Sequence, residues 1–404
     1  MKLWISLSGL LILYFTYGFY LSQKEFNLVP NTFSRMGQSK YYDYRGVLNV
    51  HTNASIGSGP THEVIEAAKS VGLDFVMLTD LNVFNQNETV EGYHGNTLVL
   101  LGSKFSYLDS RIIHYSTSKK SLGQNLGEAQ VKISDLLSQS AGSNTDDLLI
   151  LAHPYKAGFS WTGDLPPGLD GFELINEKSL SYRSLETSKL STLWSLLTYP
   201  FNPKLSFIRL FQEPQEELEL MDRMGKEHSA KVFAGAEASA RAVPLTNYLV
   251  KFPSYQRSFE FITTHVLLSS ELTGNASGDK TKIFQALKKG HSYICFESLG
   301  DPKGFVATIE SRGQQFLPGS SLVLSPGTQL HVSLPAKPQS YFEIAIFKDG
   351  ERIATSNTVE ALYPITQAGR YRVQVRLSPY LPLPDAIRWI TWIYTNSFEV
   401  RDPF

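Results

Sequence analysis

Between residues 46 and 80 the chain spells one complete strand, turn, helix and strand, and this unit limits the fold more than any other feature. Gly46-Val47-Leu48-Asn49-Val50-His51 is an apolar strand ending on polar residues, followed by the turn Gly57-Ser58-Gly59-Pro60. Thr61 and Glu63 mark a helix start, and Val64, Ile65, Ala67 and Ala68 form its buried stripe. Phe75-Val76-Met77-Leu78 is a second short buried strand. Thr79-Asp80 stands at its C-terminal end, where parallel α/β architectures place their ligands. Further apolar strands over 98–101 and 148–151, with a helical stretch over 131–137 between them, continue the rhythm and predict a mostly parallel sheet.

Polar residues recur after these strands, and their pattern resembles the PHP superfamily of metal-dependent phosphoesterases over roughly residues 44 to 300. The family's opening His-x-His pair is here Asn49-Val50-His51, and its Thr-Asp-His is Thr79-Asp80-Leu81. Its Gly-x-Glu becomes Gly102-Ser103-Lys104, and its closing Asp-Ala-His becomes Glu237-Ala238-Ser239. Ala152-His153-Pro154 and Glu173-Leu174-Ile175-Asn176 match the family's segments directly, and His114 is a further candidate ligand.

The resemblance implies a distorted (β/α)7 barrel with a site on its C-terminal rim. It also implies one divalent metal, Mn, Zn or Fe, on His51, His114, His153 and Glu237, with Lys104 stabilising negative charge and Asp80 orienting a ligand or accepting a proton. A polynuclear site is excluded, because Asn49 offers only a neutral carbonyl, Leu81 and Ser239 offer no comparable ligand, and Lys104 adds a positive charge. Two functions follow. One is a phosphoric ester hydrolase with a reduced or lost metal site. The other is a non-catalytic, metal-free protein that binds an anionic or phosphorylated ligand, or a cell-envelope partner, with Lys104 as fixed cation. A third account makes the barrel a spacer and gives glycan or protein binding to the C-terminal region.

With 37 basic and 38 acidic side chains, the chain has no basic surplus for nucleic acid. The lone Cys295 excludes an intrachain disulfide and packs as a small hydrophobe. His62, His94 and His228 read as solvated, and His265 and His291 as packing or capping residues. From Leu3 to Ser22 no residue is charged, a length suited to one membrane span of about 20 residues. The expected order is therefore a membrane anchor over 1–24, a linker over 25–39, the α/β barrel over 40–300 and a β-sandwich of immunoglobulin-like type over 301–404. The expected setting is a bacterial inner membrane, single-pass, with the bulk of the chain in the periplasm or outside the cell. The apolar segment 190–211 reads either as a hairpin resting on that membrane or as cover for the barrel wall.

Overall fold

The computed structural model describes residues 2–30, 40–118, 122–139, 146–224, 231–245, 248–382, 385 and 387–403. Part of the expected linker, residues 31–39, lies outside the described residues. Seven strands close a barrel: Tyr42–Val50, Phe75–Leu78, Thr97–Tyr107, Ser110–Ser116, Asp147–Leu151, Gly171–Asn176 and Lys231–Ala238. The last pairs in parallel with the first, Leu48 opposite Gly235, and this contact makes the sheet a ring. All neighbours run parallel except Ser110–Ser116, which is antiparallel on both sides because a tight hairpin joins it to Thr97–Tyr107. The seven-strand barrel that the PHP resemblance implies is therefore present.

The helices are α1 (Lys2–Ser22), α2 (Thr61–Ser70), α3 (Leu126–Ser138), α4 (Glu177–Thr187), α5 (Lys189–Thr198), α6 (Pro203–Leu210), α7 (Gln215–Met224), α8 (Tyr255–Phe259) and α9 (Ala276–Lys289). Strand alternation sends Val47, Val76, Leu78 and Val99 outward onto Val64, Ile65 and Ala68 of α2. Leu48, Met77, Leu100, Ile113 and Phe233 form a separate cluster with Ile283, Phe284 and Leu287 of α9. Lys288 of α9 also reaches Asp170, just before the Gly171–Asn176 strand, so α9 covers the end from which the parallel strands start. Gly290, left-handed at φ 71°, stops that helix as its sequence suggests. The opposite end is left to polar side chains.

The C-terminal region is all-β, but it is not set apart from the barrel. Ile262–Leu268 pairs antiparallel with Tyr42–Val50, Ser292–Phe296 pairs with Ile262–Leu268, and Ile390–Thr395 pairs with Ser292–Phe296. One sheet therefore runs from the barrel into the region beyond residue 300. A second, four-stranded sheet contains Val306–Ser311 and Gln329–Ser333, and its Ile309 and Leu330 share a core with Ile344 and Val373 of the continuous sheet. Trp392, fully buried, donates its Nε1–H to the Gly300 carbonyl at 2.9 Å, across the expected boundary.

A buried ion cluster fastens the junction between Tyr42–Val50 and Ile262–Leu268. His265 Nδ1 lies 2.7 Å from Asp43 and Nε2 lies 3.0 Å from Glu297, while the ring stacks on Tyr293. Burial alone would favour the neutral ring, but the two carboxylates outweigh it and raise its pKa to about 10. His265 is thus a buried imidazolium, where the sequence suggested only a packing or capping residue.

At the N-terminus the apolar run does form a helix, yet among the described residues no helix is long and apolar enough to cross a membrane. Ser, Gly, Thr and three Tyr interrupt its aliphatic residues, and one side of α1 is held by α5 and the start of α6. Tyr14 donates to the Leu197 carbonyl at 2.8 Å, and Asn202 donates to the carbonyls of Leu21 and Lys24, each at 2.9 Å. The expected transmembrane span is corrected accordingly: α1 is docked against the α5–α6 hairpin.

Candidate functional site

The polar end of the barrel is organised by Glu173, on the strand Gly171–Asn176. Its carboxylate accepts from Asn49 Nδ2 at 2.6 Å, Asn176 Nδ2 at 2.8 Å and the His153 backbone N–H at 3.0 Å. Gly235 permits this, because a Cβ there would fall on the Glu173 carboxylate. Asn49 reaches inward because the ladder is irregular around it. Its Oδ1 accepts from Lys104 Nζ and Thr79 Oγ1, both at 3.3 Å. An amide suits this position, since it donates to a carboxylate and accepts from an ammonium at once.

Glu237 lies at the centre of the charges. Its Oε1 is 3.4 Å from Lys104 Nζ, 3.5 Å from Lys156 Nζ, and 3.8 Å from both Lys178 Nζ and Arg111 Nη1. Burial would raise the carboxyl pKa, but Lys104 and the other cations outweigh that and hold it well below the usual range. Burial lowers the Lys104 pKa, against the pull of Glu237, and brings Lys178 down to about 8. Burial likewise raises the Glu173 carboxyl. Four cationic side chains thus meet two carboxylates, one of them biased towards its neutral form.

His51 and His153 complete the cluster. Both rings are buried, and burial reinforced by Lys104 holds each well below the ordinary imidazole pKa, so both are neutral. Among the described residues none of their ring nitrogens has a hydrogen-bond partner, and neither Glu237 oxygen accepts a hydrogen bond. Such orphaned atoms are costly unless something meets them. The backbone is strained at the same places: Asn49, His153 and Glu237 have φ of 60°, 36° and 44°, a region that non-glycine residues enter at a cost of order 1 kcal/mol each. These strained positions coincide with the site.

The sequence-derived residues separate cleanly. Lys104, His51, His153 and Glu237 converge, whereas His114 does not join them. On its strand, Arg111, Ile113 and Tyr115 share one face and Ile112 and His114 the other. His114 accordingly points away from the barrel interior and bonds Asp147 at 2.7 Å. The Asp80 carboxylate is occupied by Thr52 N–H, Thr52 Oγ1 and Ser55 Oγ, which places it as the clamp of the turn after the first strand.

Arg111, Lys156 and Lys178 were not foreseen as site residues. Arg111 was within reach, because it alternates in phase with Ile113 and Tyr115. Lys156 and Lys178 follow strand ends closely, but only ring closure shows that they aim at one carboxylate.

The donor set does not fit the metal that the resemblance implies. Without His114, three ligands remain at most, and a fully buried ammonium rests against the only acidic one. Among the described residues no group of three or more His, Cys, Asp or Glu side chains is placed to hold a metal ion. Catalytic metal sites commonly combine three protein ligands with an open position for water, and a cation at that position opposes both metal and hydroxide.

No family model matches the chain, and no curated protein sequence matches it. Among solved structures, a two-domain protein from Bacteroides vulgatus described as containing a PHP-like metal-dependent phosphoesterase aligns at 11% identity. That alignment covers 91% of this chain and 98% of that one, with a TM-score of 0.36. A structure from Bifidobacterium adolescentis described as a metal-dependent phosphoesterase aligns at 10% identity over 51% of this chain and 92% of its own, with a TM-score of 0.28. These are two of the structures the chain is similar to, and its closed seven-strand ring is read from its own strand pairing.

Proposed function

We propose that the barrel is a metal-free receptor for a phosphate-bearing anion, built on a phosphoesterase-type scaffold whose metal ligands have been replaced. The observation that carries this reading is the cage of Lys104, Arg111, Lys156 and Lys178 around one oxygen of Glu237. A carboxylate already sits in an anion position, with positive charge left over. The neutral rings of His51 and His153 each have one N–H to donate to a phosphoryl oxygen. Glu237 in turn accepts from a protonated phosphate or a neighbouring hydroxyl.

Lys104→Met tests the reading, because it keeps the length and burial of the side chain while removing its charge. The expected loss is one charge-assisted contact, about 2 kcal/mol or roughly thirtyfold in phosphate affinity by calorimetry. Unchanged affinity in a folded variant would contradict it. A second reading, a mononuclear metal on His51, His153 and Glu237, is favoured only by their orphaned atoms. It predicts metal that stays with the protein through extensive washing and is lost in His153→Ala.

A further inference from the structure

We infer that the ligand is an amphiphile, its anionic head in the cation cage and its apolar tail along α4 and α5. This rests on the anion-receptor reading. Lys178, Tyr182 and Leu185 follow the i, i+4, i+7 spacing and so share one face of α4, opposite its buried Glu177, Leu180 and Ser184. That face starts in the cage, 3.8 Å from Glu237, and continues into two exposed apolar side chains, each 49% accessible. The Lys156 ammonium lies 5.4 Å over the Tyr182 ring, so cage and apolar face meet there.

The helix that follows is inside out. α5 buries Thr192, Ser195 and Thr198 and exposes Leu190, Leu193, Leu196 and Leu197, with Leu190 at 83%. Two of the three buried hydroxyls are satisfied inward: Thr192 meets Ser184, and Thr198 meets Ser206 and Arg209. An ordinary helix of a water-soluble domain turns its leucines to the core. Contiguous exposed apolar surface of this kind marks an interaction site. Along α5 only Lys189, at its first position, is charged, so the leucine face offers nothing to a polar or charged partner. An alkyl chain is the occupant that matches a cationic cage at one end and an uncharged leucine face at the other.

Calorimetric titration of the full-length chain with three probes tests this: inorganic phosphate, glycerol 3-phosphate, and dihexanoyl phosphatidic acid below its micelle concentration. The lipid is expected to bind about tenfold or more tightly than its head group, from burial of a short alkyl chain. Leu185→Glu should remove that advantage and leave phosphate binding unchanged, while Lys104→Met should weaken all three. Equal affinity for lipid and glycerol 3-phosphate overturns the amphiphile and leaves the anion receptor standing. Lipid binding indifferent to Lys104→Met also overturns it, since the lipid then merely coats exposed leucines. No binding of phosphate or glycerol 3-phosphate overturns the receptor reading itself.

Discussion

Glu237→Gln is expected to destabilise the protein by about 3 kcal/mol or more and to make its stability depend on phosphate. The substitution keeps the side-chain shape and removes the one charge that Lys104, Arg111, Lys156 and Lys178 share. Lys104 is fully buried and has no water to turn to, so its uncompensated charge carries most of the penalty. An anion entering the cage restores the balance and stabilises the folded state by mass action, about 2.7 kcal/mol at a hundredfold excess over its dissociation constant. Thermal unfolding with and without phosphate reads both effects. The midpoint should fall in the variant, and phosphate should raise it further there than in the wild type, where Glu237 already fills part of the cage. A variant as stable as the wild type and indifferent to phosphate would show that the cations do not depend on a shared anion.

His265→Asn should be comparably severe, at a place remote from the cage. It leaves Asp43 and Glu297 facing each other across the junction of Tyr42–Val50 and Ile262–Leu268 without the imidazolium, a loss of about 3–5 kcal/mol for a broken buried ion pair. The pH dependence has a definite sign. The folded-state pKa of His265 is raised to about 10 from an ordinary 6.5, so the folded protein holds a proton that the unfolded chain releases earlier. Its contribution is complete below pH 6.5 and disappears as pH rises through about 10. Denaturation of wild type and variant at pH 6 and pH 10.5 should show a wide gap at the lower value and a narrow one at the higher. A gap that does not change with pH would mean that the ring is neutral in the folded state.

Much of the barrel is legible in the sequence because its strands are short apolar runs and their ends carry the polar residues. Val64, Ile65 and Ala68 face the sheet as their spacing requires, and Lys348-Asp349-Gly350-Glu351, an Asp-Gly pair between two strands, forms a hairpin turn with Asp349 and Gly350 at positive φ. The reversed strand Ser110–Ser116 is harder to see, since an antiparallel insertion has the same apolar composition as its parallel neighbours. For the site, a ligand template directs attention to His, Asp and Glu and passes over Lys156 and Lys178. Their convergence is a property of the closed ring, set by which strand ends become neighbours.

The N-terminal region teaches a different lesson. Hydropathy registers that Leu3–Ser22 is uncharged and apolar, but not that Asn202 and Tyr14 tie this helix to α5 and α6. Periodicity also finds the leucine stripe of α5 without saying which way it faces. Orientation goes with the hydroxyls of Thr192 and Thr198, which find partners inside and leave the leucines outside.

The central claim is that this barrel binds an anion with its own cations and needs no metal to do so. Its most direct test is calorimetric titration of inorganic phosphate into chelator-treated, full-length protein. Saturable binding close to one phosphate per chain, in protein free of metal, is the expected result. Binding that occurs only after manganese, zinc or iron is restored would contradict the account and return His51, His153 and Glu237 to the role of metal ligands.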